Sequence, residues 1–165
     1  MRVSERRDSG STRLPDGFAE RLSRVSGVSV STAVEDRICY SYDATDVRAL
    51  PDAVAWPESS VEVADVLRAA REAGVPVVPR GAGTGYTGGS LPVVGGIGLS
   101  LERMNTVSSI DTTALVALAG PGVVNQALAE AAEAEGLSYP PDPASRKVST
   151  VGGNIAECAG GPATV

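Results

Sequence analysis

Beginning at Pro15-Asp16, Phe18, Leu22 and Val25 recur at the spacing that lines one face of a helix, and Gly27 offers its stop. Ile38 to Leu50 carries Tyr40, Tyr42, Asp43 and Asp46 with no clean period, after which Ala53-Val54-Ala55-Trp56 reads as a short strand closed by Pro57. Ser59 with Glu62 three residues on makes a capping box. The helix it predicts has Val63, Val66, Leu67 and Ala70 on its apolar face and ends at Gly74. The β-branched run Val75-Pro76-Val77-Val78-Pro79 predicts a strand that its prolines confine to an edge or a strand start. Arg80 to Gly96 is rich in glycine and free of helix signals, and Gly98-Leu99-Ser100-Leu101 resumes as a strand. Ile110 and Ala114-Leu115-Val116-Ala117-Leu118 suggest two more strands. Asn125 can cap a helix running through Ala127, Leu128, Ala131 and Ala132 to Gly136, and from Ser138 the chain is dominated by Pro, Ser and Gly.

The predicted order is an α+β fold, a small mixed sheet flanked by helices. Residues 1–13 are polar and charged and are expected to be disordered, 14–50 form a helical lead-in, and 51–165 form the main domain. A length of 165 residues suits one such domain. Hydrophobic residues at 42% and charged residues at 21% fit a globular chain, while 19 Gly and 11 Pro against 4% aromatics point to long shaped loops. A formal charge of −6 argues against a nucleic-acid partner. The sequence has no apolar run long enough for a membrane span and no secretory leader at its start, so a cytoplasmic location is expected. Cys39 and Cys158 lack metal-ligand spacing and read as free thiols, and no metal site is expected. The absence of histidine removes Ser-His-Asp triads, Cys-His pairs and imidazole ligands from the candidate chemistry.

Two glycine-rich segments remain as the informative parts. In Pro79-Arg80-Gly81-Ala82-Gly83-Thr84-Gly85-Tyr86-Thr87-Gly88-Gly89-Ser90, missing Cβ atoms let successive backbone N–H groups turn toward one anion, a pyrophosphate being the natural guest. Gly83 to Gly88 satisfies the GxGxxG spacing. The following Ser90-Leu91-Pro92-Val93-Val94-Gly95-Gly96 cannot open the helix that a dinucleotide fold requires, and Lys147 is too distant for a Walker loop. A cradle between two strands survives, with the Thr84 and Ser90 hydroxyls available and Arg80 as the nearby positive charge. The competing reading is a set of tight turns without a ligand, with Arg80 as a surface ion-pair partner. The second segment runs from Pro140-Pro141-Asp142-Pro143 through Ser149-Thr150-Val151-Gly152-Gly153-Asn154 to Gly160-Gly161. Its glycines permit a flat ligand to lie on bare backbone, or mark a bend before another helix. Asp142 reads as a turn-capping carboxylate, and no catalytic acid or base is assigned.

In their order, Ala55-Trp56-Pro57, Ser59-Ser60-Val61-Glu62-Val63, Val75 to Gly85, Pro141-Asp142-Pro143, Ser149 to Asn154 and Ala159-Gly160-Gly161 resemble the FAD-binding, PCMH-type domain of the vanillyl-alcohol-oxidase/p-cresol-methylhydroxylase superfamily. The resemblance is strongest to its glycolate-oxidase-subunit and D-lactate-dehydrogenase branch. It implies that FAD is the cofactor, its phosphates held by the loop led in by Pro79 and Arg80, through the amides of Gly81, Ala82, Gly83, Thr84 and Gly85. Pro141, Asp142, Thr150, Gly152, Gly153 and Asn154 would lie near the flavin ring and ribityl chain. Thr84 stands where covalent members carry a histidine, and Val148 where others carry a cysteine, so non-covalent FAD is expected. The implied activity is oxidation of a 2-hydroxy acid to the 2-oxo acid, with an iron–sulfur or second flavoprotein subunit as a partner. Relatives continue well past the final glycine pair, so the chain is expected to be an incomplete domain, an N-terminal fragment that binds FAD weakly or not at all and is itself inactive. A non-redox phosphate- or nucleotide-binding module and a cofactor-free assembly subunit are the alternatives.

Overall fold

Residues 14–163 are described by the computed structural model, and the segment 1–13 expected to be disordered lies outside them. Helix α1 (Phe18–Ser26) buries Phe18 and Leu22, whereas Val25, expected on the same face, is exposed. Gly27 ends it at φ 71°, donating its N–H to Ser23 O, in a conformation that a residue with a Cβ adopts only at a cost. A short strand β1 (Ser29–Ser31) and a six-residue helix α2 (Val34–Cys39) follow. Both are too short to write a period into the sequence, and so neither is visible in the apolar pattern.

Strand β2 (Ala53–Trp56) forms over the residues its pattern predicts, and α3 (Ser60–Glu72) begins at the Ser59 cap, whose hydroxyl accepts from Glu62 N–H. The Glu62 carboxylate reaches one residue further back than a capping box requires, accepting from Glu58 N–H at 2.7 Å. Val66 and Ala70 are buried on the sheet while Leu67 is exposed, so the buried stripe is narrower than the expected one. Strands β3 (Val77–Arg80) and β4 (Ile97–Ser100) complete a mixed sheet of order β1-β2-β4-β3, antiparallel at β1-β2 and parallel at β2-β4 and β3-β4. β3 lies at the edge, where Pro79 need not donate to a neighbour. The main core joins α1 and α3 to this sheet through Phe18, Leu22, Ala55, Val66, Ala70, Ile97 and Leu99.

Among the described residues, the two later strands, β5 (Val107–Asp111) and β6 (Val116–Ala119), pair only with each other, as a hairpin. Helix α4 (Asn125–Ala134) starts at Val124 rather than at an Asn125 cap. Asn125 is instead buried inside the first turn, and its side-chain amide donates to Pro141 O at 3.0 Å. A last helix, α5 (Val151–Ala156), arises in the segment expected to be loop. Val151 joins Val123 and Leu128 in a second, smaller core that seats α5 beside α4.

Candidate functional site

The first glycine segment leaves the edge strand β3 at Arg80 and returns to the sheet at Ile97. Its contact with the second segment is fixed at Gly81, where an added Cβ would collide with Thr150 Oγ1 and come within 3.8 Å of Gly153 Cα. Further along, Thr87 Oγ1 and Glu157 Oε1 are hydrogen-bonded at 3.0 Å. Stretches about seventy residues apart in sequence are therefore neighbours in space. Among the described residues, none of the amide N–H groups of Gly81, Ala82, Gly83, Thr84 and Gly85 donates to a protein acceptor. Consecutive backbone donors left open in this way are the raw material of an anion site.

Arg80 occupies a different place from the one a surface phosphate contact or a surface ion pair would give it. Its side chain is buried beneath the loop, and a Cβ on Gly83, at φ +69°, would run into the guanidinium. The guanidinium lies over the rings of Tyr40 and Tyr42, 5.6 and 5.8 Å from their centroids. It makes no ion pair among the described residues, and its buried Nη1 has no hydrogen-bond partner. Burial lowers its pKa, an effect opposed by Tyr42, Tyr40, Asp43 and Glu102. A guanidinium nonetheless stays protonated.

In the second segment the glycines are committed to packing. Thr150 Oγ1 caps α5 by accepting from Gly153 N–H at 3.3 Å, so Gly153 lies in the helix's first turn. Gly152 N–H donates to Pro121 O at 2.9 Å, and a Cβ on Gly152 would meet Pro121 Cβ at 2.6 Å. Asp142 is tied at both ends, its N–H to Gly160 O at 2.8 Å and its carboxylate to Arg146 at 2.9 Å. It is thus an ion-pair partner, where the sequence suggested a turn cap. Pro141 contributes its carbonyl to Asn125, and Pro79 is exposed at the sheet edge. Asn154 is buried with its Nδ2 unpartnered, and Ser149 Oγ and Asn125 Oδ1, also buried, are in the same condition. Buried polar atoms are nearly always satisfied in folded proteins, so their presence around α5 fits a polar ligand. Cys39 and Cys158 are free and exposed.

Sequence reasoning did not find Tyr40, Tyr42 and Asp43, which surround Arg80 from a stretch without periodicity. The signal available was the gathering of three of the chain's six aromatic residues, Tyr40, Tyr42 and Trp56, on either side of a featureless segment.

An α+β layer whose parallel edge strand delivers open amides against a capped helix is a geometry able to take an anion such as a dinucleotide's phosphates. The FAD binding domain family matches residues 51–165, and the chain belongs to that family, with FAD as its cofactor. It is 44% identical over 144 residues to the glycolate oxidase subunit GlcD of Bacillus subtilis, covering 86% of this chain and 31% of that protein. It is 42% identical over 114 residues to the D-lactate dehydrogenase of Anaerostipes hadrus, covering 69% of this chain and 24% of the relative. The chain therefore spans a third or less of the length of these relatives. Among solved structures, an alkyldihydroxyacetonephosphate synthase superposes with a TM-score of 0.79 at 22% identity, over 98% of this chain and 35% of that one. A substrate-bound p-cresol methylhydroxylase gives 0.70 at 21% identity, over 86% and 30%. These likenesses show the PCMH-type fold. No helix among the described residues is long and apolar enough to cross a membrane.

Proposed function

We propose that this chain supplies the pyrophosphate-holding part of an FAD-dependent oxidoreductase that converts a 2-hydroxy acid of the glycolate or D-lactate kind to its 2-oxo acid. The observation that carries the reading is the run of open amides from Gly81 to Gly85, set against α5 through Thr150 and Gly153. Such donors suit two linked phosphates because they bring partial positive charge without a side chain to order. The similarity to a glycolate oxidase subunit and to D-lactate dehydrogenases supports the substrate class. When bound, FAD supplies the redox chemistry, taking a hydride equivalent from the carbon that bears the hydroxyl.

The chain's own residues bind and orient. Pro79 and Arg80 lead the loop in, and Gly81, Ala82, Gly83, Thr84 and Gly85 hold the diphosphate through their backbone. Thr150, Gly152 and Gly153 fix α5 against that loop, and Asn154 offers its unpartnered Nδ2 as a donor on the ring and ribityl side. Pro141 and Asp142 wall that side while engaged with Asn125 and Arg146. With no histidine in the sequence and Val148 just before Ser149, FAD is held without a covalent bond to these residues. The hydroxy acid and an iron–sulfur or second flavoprotein subunit are the proposed partners, in the cytoplasm.

Titration of isotopically labelled protein with FAD, ADP and riboflavin tests the reading. The Gly81–Gly85 amide resonances are expected to move with FAD and ADP at millimolar or lower concentration and to ignore riboflavin, which lacks phosphate. If FAD and ADP leave those amides unmoved, the loop is a ligand-free connection and the proposal is wrong.

A further inference from the structure

We propose that Arg80 is a positioning residue for the diphosphate. Its guanidinium, held under the Gly81–Gly85 loop by the Tyr40 and Tyr42 rings, fixes that loop and presents a buried positive charge to the anion from beneath Gly83. This inference rests on the reading of the loop as a diphosphate cradle. It makes the segment 40–45, which precedes the matched residues 51–165, part of the phosphate site.

The local chemistry is an alternation of guanidinium and ring. Arg48 lies over Tyr42 at 4.6 Å, Arg80 over both Tyr42 and Tyr40, Tyr40 edge-on to Trp56 at 5.7 Å, and Arg103 over Trp56 at 5.7 Å. Hydrogen bonds lock the far end, Trp56 Nε1 donating to Tyr40 Oη at 2.7 Å and Tyr40 Oη to Glu102 at 2.8 Å. Contact with two rings suits the planar, weakly hydrated guanidinium better than a compact, strongly hydrated ammonium. The same segment also grips the loop directly, since Ala44 N–H donates to Gly85 O at 3.1 Å.

What distinguishes this cluster from ordinary packing is a buried guanidinium without a direct ion pair. Asp43 and Glu102 are the carboxylates that act on Arg80, yet neither forms an ion pair with it, and Asp43 Oδ1 is turned to Thr45 N–H at 2.8 Å. Nη1 remains buried and unpartnered. A buried cation is costly unless an anion answers it. The loop that carries the open amides touches the guanidinium at Gly83, so an anion seated on those amides would answer both the loop and the guanidinium. Glycine at 83 follows from this arrangement, because any side chain there would take the space Arg80 occupies.

Inorganic pyrophosphate is the probe, with affinity read from the Gly81–Gly85 amide shifts and loop order from amide hydrogen exchange without ligand. Arg80→Met is expected to weaken pyrophosphate binding about tenfold or more and to speed exchange across the loop. Arg80→Lys should recover part of the affinity through its charge while leaving exchange fast, a split that loss of packing alone would not produce. Arg80→Met binding pyrophosphate as tightly as the wild-type protein overturns the inference. Should that variant not fold, Tyr42→Leu carries the test: faster loop exchange and weaker binding support the clamp, and unchanged values for both reject it. A wild-type protein that binds neither pyrophosphate nor FAD removes the cradle reading itself, whereas wild-type binding with an unaffected Arg80→Met removes only the role given to Arg80.

Discussion

The two glycine segments look alike in composition and use the missing Cβ in opposite ways. Between Gly81 and Gly85 the amides have no protein acceptor among the described residues, so the bare backbone leaves donors open. In α5 the amides of Gly152 and Gly153 are already engaged, by Pro121 O and by the Thr150 cap, so there glycine serves close packing. Glycine density locates a place where backbone must come close to something. Whether that something is a ligand or the protein itself is decided by the fate of the N–H groups.

The sharpest way to break this contrast is a pair of substitutions. Gly152→Val drives side-chain atoms into Pro121 Cβ and its carbonyl, and neither can swing aside as a long side chain could. Overpacking against backbone is expected to cost about 3 kcal/mol, read as a lowered midpoint in urea unfolding. Gly83→Val meets only the guanidinium end of Arg80, together with a φ of +69° that a β-branched residue resists. Its expected stability cost is smaller, about 2 kcal/mol, while binding of FAD or pyrophosphate should disappear. If Gly152→Val instead leaves stability intact and removes binding, the division of labour between the segments is reversed.

The convergence of the segments is tested by coupling. Gly81→Ala puts a methyl group where Thr150 Oγ1 stands, so Thr150 must rotate away from the Gly153 amide and α5 loses its cap. The expected cost is about 1 kcal/mol. Thr150→Ala loses the same cap but also removes the obstructing oxygen, and so the double variant should be about 1 kcal/mol more stable than the sum of the two single effects. Additive costs would mean that the two segments do not press on each other at this point.

What the sequence made legible follows the length scale of each signal. The Ser59 cap, the helix it starts and the proline-limited edge strand β3 are repeated or local signatures, and they appear where expected, although the buried stripe of α3 narrows to Val66 and Ala70 with Leu67 exposed. β1, α2 and α5 span three to six residues and are held by their neighbours rather than by their own pattern. Asn125 shows the same limit from the other side. Its residue type suits a cap, yet burial against Pro141 determines its use. For the candidate site, the spacing of Gly81, Gly83 and Gly85 was readable because a run of open backbone amides needs only missing side chains. The support beneath it was not, since Tyr40, Tyr42 and Asp43 reach Arg80 only through tertiary packing.

The smallest expected effect concerns acid, and it probes the first segment through Asp43, which is buried next to the loop. Burial alone would raise its pKa, but hydrogen bonds from the Thr45 side chain and backbone, together with the Gly88 backbone and the Arg80 charge, outweigh it and hold the group below the ordinary value of 3.8. A carboxylate whose pKa is depressed by folding binds its proton more readily when unfolded. Its contribution is therefore fully present above the ordinary carboxylate value and is lost as pH falls through the lower, folded one. Asp43→Asn keeps an oxygen that can accept from Thr45 and removes the charge, so it isolates this term. Urea unfolding followed from neutral to strongly acid pH should show the wild-type protein losing stability more steeply below about pH 4 than the variant. The difference in slope cannot exceed one proton's worth, about 1.4 kcal/mol per pH unit. Parallel curves would mean that the Asp43 carboxylate is not stabilised by the loop's surroundings, and that the electrostatic link between residues 40–45 and the Gly81–Gly85 amides is weaker than the geometry implies.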